Sequence, residues 1–225
     1  MAPQPVPRPS LSRAPLSRAR QMDGWLDMVV WLVAVWLSVI LPGLYLGNLK
    51  DSQDRELLAQ FNITHILSIH DTAQPVLEDM TYLCVSAADH SKQNLMQYFK
   101  DSIIFIHESR LRGGCCLVHC VAGVSRSVTL VVAYLMTVAG RGWVDCLAAV
   151  RAVRPCAGPN LGFLRQLDEY ENFELAQYRT WWTERYGKNP LNDQEEIEGL
   201  LARKSQDNSN AVATSITSPM ATSTT

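Results

Sequence analysis

The tightest constraint in this chain is the run Leu117–Leu130, Leu-Val-His-Cys-Val-Ala-Gly-Val-Ser-Arg-Ser-Val-Thr-Leu. An apolar run, Cys115 to Val118, leads into His119-Cys120. A loop of small residues follows, Val121, Ala122, Gly123, Val124 and Ser125, and Arg126-Ser127 then opens a long apolar helical pattern. A strand that turns tightly into a helix N-terminus makes an anion site. Its unpaired backbone N–H groups face the ligand, and the helix dipole favours negative charge. The same field stabilises a thiolate, so Cys120 is expected to lose its proton easily. Arg126, on the first turn of the helix, can fork two hydrogen bonds onto a phosphate.

The rest of the chain sets the frame for that loop. Its 225 residues accommodate one domain of roughly 150 residues with tails. A hydrophobic content of 47% supports a core, and a net charge of −2 argues against nucleic acid as the main partner. The six cysteines, Cys84, Cys115, Cys116, Cys120, Cys146 and Cys156, show no C-x-x-C spacing of the metal-binding kind. Several lie in apolar runs, as buried free thiols do. That usage, together with a reactive Cys120, points to a reducing, cytosolic compartment.

Residues 1–38 read as an N-terminal extension, a Pro/Ser/Arg-rich segment followed by an apolar stretch. The stretch Met28–Leu41 carries no charge and imitates a signal peptide or anchor. Against export, no small-residue cleavage site follows. The run also falls short of the ~18–20 residues that a spanning helix needs. Its last residues are needed by the domain as well. Two readings of the 25–41 stretch stay open: a membrane-associated helix, or a dispensable extension.

From residue 39 to 187 strand and helix patterns alternate. Val39–Leu46 is a strand candidate broken at Pro42-Gly43. Asp51 is an N-cap candidate for a helix through Phe61. Thr64–His70 alternates with period two, and Thr81–Val85 is a further strand. Asn94 begins a helix to Leu111 that Arg112-Gly113-Gly114 ends. Cys115–His119 is the central buried strand, and Arg126–Ala139 is a buried helix closed by Gly140. Trp143–Val153 is a helix stopped at Arg154-Pro155. Asn160 can cap a long helix from Leu161 to about Tyr186. Residues 188–204 hold a short charged helix, and 205–225 form a Ser/Thr-rich tail. Strands linked through helices imply an α/β fold with a mostly parallel sheet flanked by helices.

The segment His119-Cys-Val-Ala-Gly-Val-Ser-Arg-Ser127 matches the H-C-x-x-G-x-x-R-S pattern of the protein tyrosine phosphatases. Its Ala-Gly-Val-Ser-Arg-Ser wording resembles the dual-specificity, VH1-like branch. The resemblance runs from about Leu41 to Lys204. It takes in Leu41–Asn48, Ala87-Ala88-Asp89, Arg154-Pro155 and Pro159–Phe163. The wording of Thr64–His70 and Tyr178–Leu191 is similar to the small atypical members known as JNK-stimulatory, or JNK pathway-associated, phosphatases. Relatives of that kind often begin Met-Gly, a myristoylation start. This chain begins Met1-Ala2-Pro3, so that anchor is not carried over.

The resemblance implies a protein tyrosine phosphatase-like fold and hydrolysis through a phosphocysteine intermediate. Cys120 is then the nucleophile. The loop N–H groups from Val121 to Arg126, with the Arg126 guanidinium, hold the phosphoryl oxygens. Asp89, in the Ala87–Gln93 loop, is the general acid and later the base that activates water. Asp79 is its competitor, but it precedes the strand rather than following it. Ser127 donates to the Cys120 sulfur, His119 fixes the loop, and Asn160 braces it. No metal or cofactor is implied. The expected substrates are phosphoproteins, signalling kinases among them, in the JNK branch of MAP kinase signalling. The expected state is a monomer, cytoplasmic and also nuclear. The short domain shows no phosphotyrosine-clamping segment, which favours dual specificity.

Plainer readings stand beside these. His90 is a solvated loop residue or a substrate contact. Cys156 is a packed thiol or a partner that traps oxidised Cys120 as a disulfide. Trp181-Trp182 packs the last long helix or docks a partner. Rival functions on the same loop are a phosphoinositide or RNA 5′-phosphatase, which uncharged Val121, Ala122 and Val124 disfavour, and a non-catalytic phosphoprotein-binding module.

Overall fold

The computed structural model describes residues 37–203. The N-terminal extension before Leu37, with most of the apolar stretch, and the tail after residue 203 lie outside the described residues. Strands β1 (Ser38–Leu41), β2 (Leu44–Gly47), β3 (Ile63–Ile69), β4 (Thr81–Val85) and β5 (Cys115–His119) form one sheet in the order β1-β2-β5-β3-β4. β2, β5, β3 and β4 are mutually parallel. Val39–Leu46 is not one interrupted strand. Gly43, at a φ of +76°, reverses the chain, and β1 pairs antiparallel with β2. Only a residue without a Cβ enters that backbone region freely.

Period-two alternation divides each strand between two hydrophobic layers. Ile66, Leu117, Tyr45 and Tyr82 face α1 (Arg55–Gln60), which contributes Leu57 and Leu58. Leu44, Leu46, Leu67, Ile69, Cys116 and Val118 face the other way, into the main core. That core is built with α2 (Phe99–Leu111), α3 (Arg126–Ala139), α4 (Trp143–Val153), α5 (Leu161–Glu169) and α6 (Leu175–Tyr186). A sheet covered on both faces explains the near-continuous apolar wording of its central strands. α3 is buried at every position except Val138 and is closed by Gly140 in the left-handed conformation.

Two helix starts differ from the sequence reading. Asp51–Gln53 is a separate 3-10 turn, and α1 is capped by Asp54, whose carboxylate accepts from Leu57 N at 3.0 Å. Likewise Met96–Tyr98 is a 3-10 turn, and α2 begins only at Phe99. The long final helix runs without a break from Leu161 to Tyr186, as expected, but its winding changes on the way. A π-helical turn, Tyr170–Glu174, joins α5 to α6 and turns Tyr170 inward, where its hydroxyl meets Thr137 Oγ1 at 2.8 Å. Trp182 is buried against His107, with ring centroids 3.8 Å apart.

The charged segment near the C-terminus is a helix, α7 (residues 193–203). It is not merely a solvated element, because Ile197 and Leu200 enter the core. Its Asp193 forms a bidentate pair with Arg110, at 2.7 and 3.0 Å, between side chains 0% and 1% exposed. Arg110 also donates to Tyr134 Oη at 2.6 Å and to the Pro42 carbonyl at 2.9 Å. Among the described residues, no single helix is long and apolar enough to cross a membrane.

Candidate active site

Because β2, β5, β3 and β4 run parallel, the loops leaving all four gather at one end of the sheet. Asn48 follows β2, Cys120 follows β5, Asp71 lies just beyond β3, and Asp89 lies in the loop after β4. Crevices at the carboxyl ends of parallel strands are where ligands bind in such sheets. Asp79 precedes β4 and lies at the opposite end, paired with Arg55 at 3.5 Å.

The loop from Cys120 to Ser125 is held open by what binds its carbonyls from outside. Val121 O accepts from Leu49 N at 3.2 Å, and Val124 O accepts from Gly158 N at 2.9 Å. Gly123 O accepts from Arg154 Nε at 2.7 Å. Cys120 O faces His119 Nδ1 at 3.4 Å. A trans peptide places its N–H opposite its C=O. Anchoring these carbonyls outward therefore turns the following N–H groups inward. Gly123 N–H meets the Cys120 sulfur at 3.2 Å. Gly123 has a φ of +68°, and a Cβ there would strike the Gly47 carbonyl and the Arg154 guanidinium.

Ser127, fully buried on the first turn of α3, donates its hydroxyl to the same sulfur at 3.2 Å. Burial pulls the Cys120 thiol upward. Hydrogen bonds from the Ser127 hydroxyl and from the N–H groups of Ser127, Val124 and Gly123 outweigh it, and the thiol titrates below its ordinary value. His119 is pushed down to about 4 by burial, so it is neutral near pH 7 and acts on the loop as a fixed donor. Arg154 is itself buried, which lowers its pKa. It also reaches Ser38 Oγ at 3.2 Å and so ties the loop to β1.

Asp89 is fixed by two donors. Ser125 Oγ and Asn160 Nδ2 each reach its Oδ1 at 2.8 Å. Asn160 also caps α5, accepting from Phe163 N at 3.1 Å, and its own N–H reaches Ser125 Oγ at 3.2 Å. Gly162 lets the start of α5 approach the Ser91 backbone so closely that a Cβ would not fit. Arg126, buried, lies with Nε 3.6 Å from Asp89 Oδ2 and with Nη1 on the Ala87 carbonyl at 3.0 Å.

The structure thus brings together Cys120, Ser125, Arg126, Ser127, Asp89 and Asn160, with His119 beneath them. Val121 and Ala122 are exposed on the loop, and Leu161 is exposed at the start of α5. His90 is turned to its own loop, accepting from Lys92 N at 3.1 Å. Cys156 is exposed and unbonded to other cysteines. Sequence reasoning missed Arg154 as a support of the loop and Asp71, whose Oδ2 lies 3.0 Å from Arg126 Nη1. Asp71 belongs to no local pattern, whereas Arg154 stands in the Arg154-Pro155 pair, which is legible as a helix stop and as part of the resemblance but not as a support of the loop. Among the described residues no group of three or more His, Cys, Asp or Glu is placed to hold a metal ion.

A cysteine sulfur cupped by amide N–H groups, with an arginine and an aspartate at the same loop, at the carboxyl end of a parallel sheet, is the arrangement a cysteine-based phosphatase site requires. Residues 44–173 match the family model for the dual specificity phosphatase catalytic domain, and the chain belongs to that family of protein phosphatases. It is 62% identical over 169 residues to dual specificity protein phosphatase 22-B of Danio rerio, covering 75% of this chain and 92% of that one. It is 60% identical over 166 residues to dual specificity protein phosphatase 22 of Homo sapiens, covering 74% and 90%. Among solved structures it is similar to the crystal structure of DUSP15. There the TM-score is 0.65 and the identity 48%, over 68% of this chain and 98% of that chain.

Proposed function

We propose that this chain hydrolyses phosphotyrosine and phosphoserine or phosphothreonine in signalling proteins through a phosphocysteine, in a reducing cytosolic or nuclear setting, within the JNK branch of MAP kinase regulation. The observation that carries the chemistry is the convergence of donors on Cys120. A sulfur held as thiolate attacks phosphorus in line, and the inward N–H groups with Arg126 take up the charge on the equatorial oxygens. The bidentate fork of Arg126 matches two of those oxygens.

Asp89 Oδ1 already accepts from Ser125 and Asn160. That leaves Oδ2 as the oxygen that carries the proton to the leaving group and later takes one from water. Ser127 supports the second step, because a sulfur it hydrogen-bonds leaves more readily as thiolate. The kinase-pathway part of the proposal rests on the resemblance of Thr64–His70 and Tyr178–Leu191 to the JNK-stimulatory phosphatases. Of the 25–41 stretch, Leu37, Ile40 and Leu41 are buried in the domain, so any membrane association would fall to residues 25–36.

A phosphopeptide panel, with phosphotyrosine and phosphothreonine versions of each sequence beside phosphoinositides, tests the substrate class. Turnover of both peptide versions and none of the lipids is expected; the reverse would move the chain to lipid chemistry. Cys120→Ser should abolish turnover while substrate still binds. Asp89→Ala should slow esters with poor leaving groups far more than p-nitrophenyl phosphate, whose oxygen needs little protonation. Equal losses on both would place the acid elsewhere.

A further inference from the structure

Arg126 is shared between two carboxylates that arrive from different strands. Its Nη1 donates to Asp71 Oδ2 and to the Ala87 carbonyl, each at 3.0 Å. Its Nε is buried, finds no hydrogen-bond acceptor, and stands 3.6 Å from Asp89 Oδ2. One edge of the guanidinium is therefore tied down while the other carries an unsatisfied donor. Burying a cation in that way is costly unless it is paired. A long side chain left loose would also have to be ordered in every catalytic cycle. Asp71 is placed where both costs are met, at the end of β3, with its own side chain 63% exposed.

We propose that Asp71 is a positioning residue for Arg126: it draws the Nη1 edge against the Ala87 carbonyl so that the Nε edge is free to receive a phosphoryl oxygen. This rests on the reading of Arg126 as the phosphate ligand. Ala87 O alone fixes one point of the guanidinium, and one point leaves the plane free to rotate. With Asp71 as a second acceptor on the same nitrogen, approached from a different strand, the plane is set. A bidentate fork gains from such preorganisation, since its two bonds need one plane. The competing view is a solvated ion pair of no consequence, which is common for exposed carboxylates.

The test compares Asp71→Ala and Asp71→Asn in the full chain, by steady-state kinetics on one phosphopeptide and by inhibition with orthovanadate. Asp71→Ala is expected to lower kcat/KM by about tenfold and to weaken vanadate by a similar factor, the low end for a charge-assisted hydrogen bond at a wet rim. Asp71→Asn keeps an oxygen acceptor and should recover most of both losses. In an Arg126→Lys background, Asp71→Ala should add less than about twofold, because residues acting through one another do not add. Melting temperatures should move little, since Asp71 supports no core. An unchanged vanadate constant in Asp71→Ala would overturn the proposal, as would a full further loss in the Arg126→Lys background. If Arg126→Lys by itself left vanadate inhibition intact, the reading of Arg126 as phosphate ligand would fall first.

Discussion

Ser127→Ala removes one donor from the Cys120 sulfur and changes almost nothing else. The hydroxyl lies 3.2 Å from the sulfur, and the Ser127 side chain is fully buried. Water therefore does not simply replace the lost bond. A hydrogen bond to a charged group is worth about 1.5–3 kcal/mol, and one pKa unit corresponds to about 1.4 kcal/mol. The Cys120 thiol should thus rise by about one to two units. The N–H groups of Gly123, Val124 and Ser127 remain, so the thiol is not expected to reach the position set by burial alone. The acidic limb of kcat/KM reports this ionisation in the free enzyme, and the pH dependence of alkylation by iodoacetate reads it without substrate. Both should move to higher pH by the same amount. The second step should also slow, so a rapid acid quench should find more phosphorus on the protein than in the unaltered chain. A Ser127→Ala protein with unmoved alkylation and no added phosphoenzyme would refute the reasoning and reduce Ser127 to an ordinary first-turn serine.

Gly123→Ala should give a folded protein with activity down by at least about a hundredfold, because the added methyl meets the Gly47 carbonyl and the Arg154 guanidinium in a backbone region costing about 1–3 kcal/mol for other residues. Circular dichroism beside kinetics checks both halves. Gly162→Ala should push the Ser91 backbone, and with it the Asp89 loop, away from α5. Turnover of poor leaving groups should drop while the thiol titration stays in place. His107 and His119 are both pushed down to about 4, chiefly by burial. Between about 4 and the ordinary histidine value near 6.5, the unfolded chain holds protons that the folded one does not. Stability should therefore fall as pH drops through that window, by up to about 1.4 kcal/mol per unit for each histidine. Urea midpoints at stepped pH measure the slope, and His107→Asn should make it shallower.

The parts of the fold legible in sequence were those with punctuation of their own. β5, α3 and α4 begin and end as read, because Gly113-Gly114, Gly140 and Arg154-Pro155 mark their limits. β4 lies where its pattern places it, and β3 lies one residue earlier than its period-two pattern suggests. Helix starts are less legible, since Asp51 opens one 3-10 turn and Asn94 precedes another, and polar residues there look like caps. The hairpin at Gly43 was hidden because an apolar run interrupted by Pro-Gly reads equally as one strand or two. At the site, the loop and the arginine were written contiguously and Asp89 was in reach of strand logic. Arg154 and Asp71 were not, because each meets the loop or Arg126 only after the sheet has closed. Asn160 is legible as a cap and a brace, but that it caps α5 while holding Asp89 emerges only once the two loops meet in the fold.

The matched family segment stops at residue 173, yet the interior goes on being filled by Trp182, Ile197 and Leu200. A chain trimmed to that boundary would lose Asp193 and strand Arg110 as a lone cation under Tyr134, with the aromatic floor of α2 laid bare. Loss of solubility in such a fragment would say nothing about its catalytic competence. The smallest honest unit for dissecting this enzyme therefore reaches at least to residue 200.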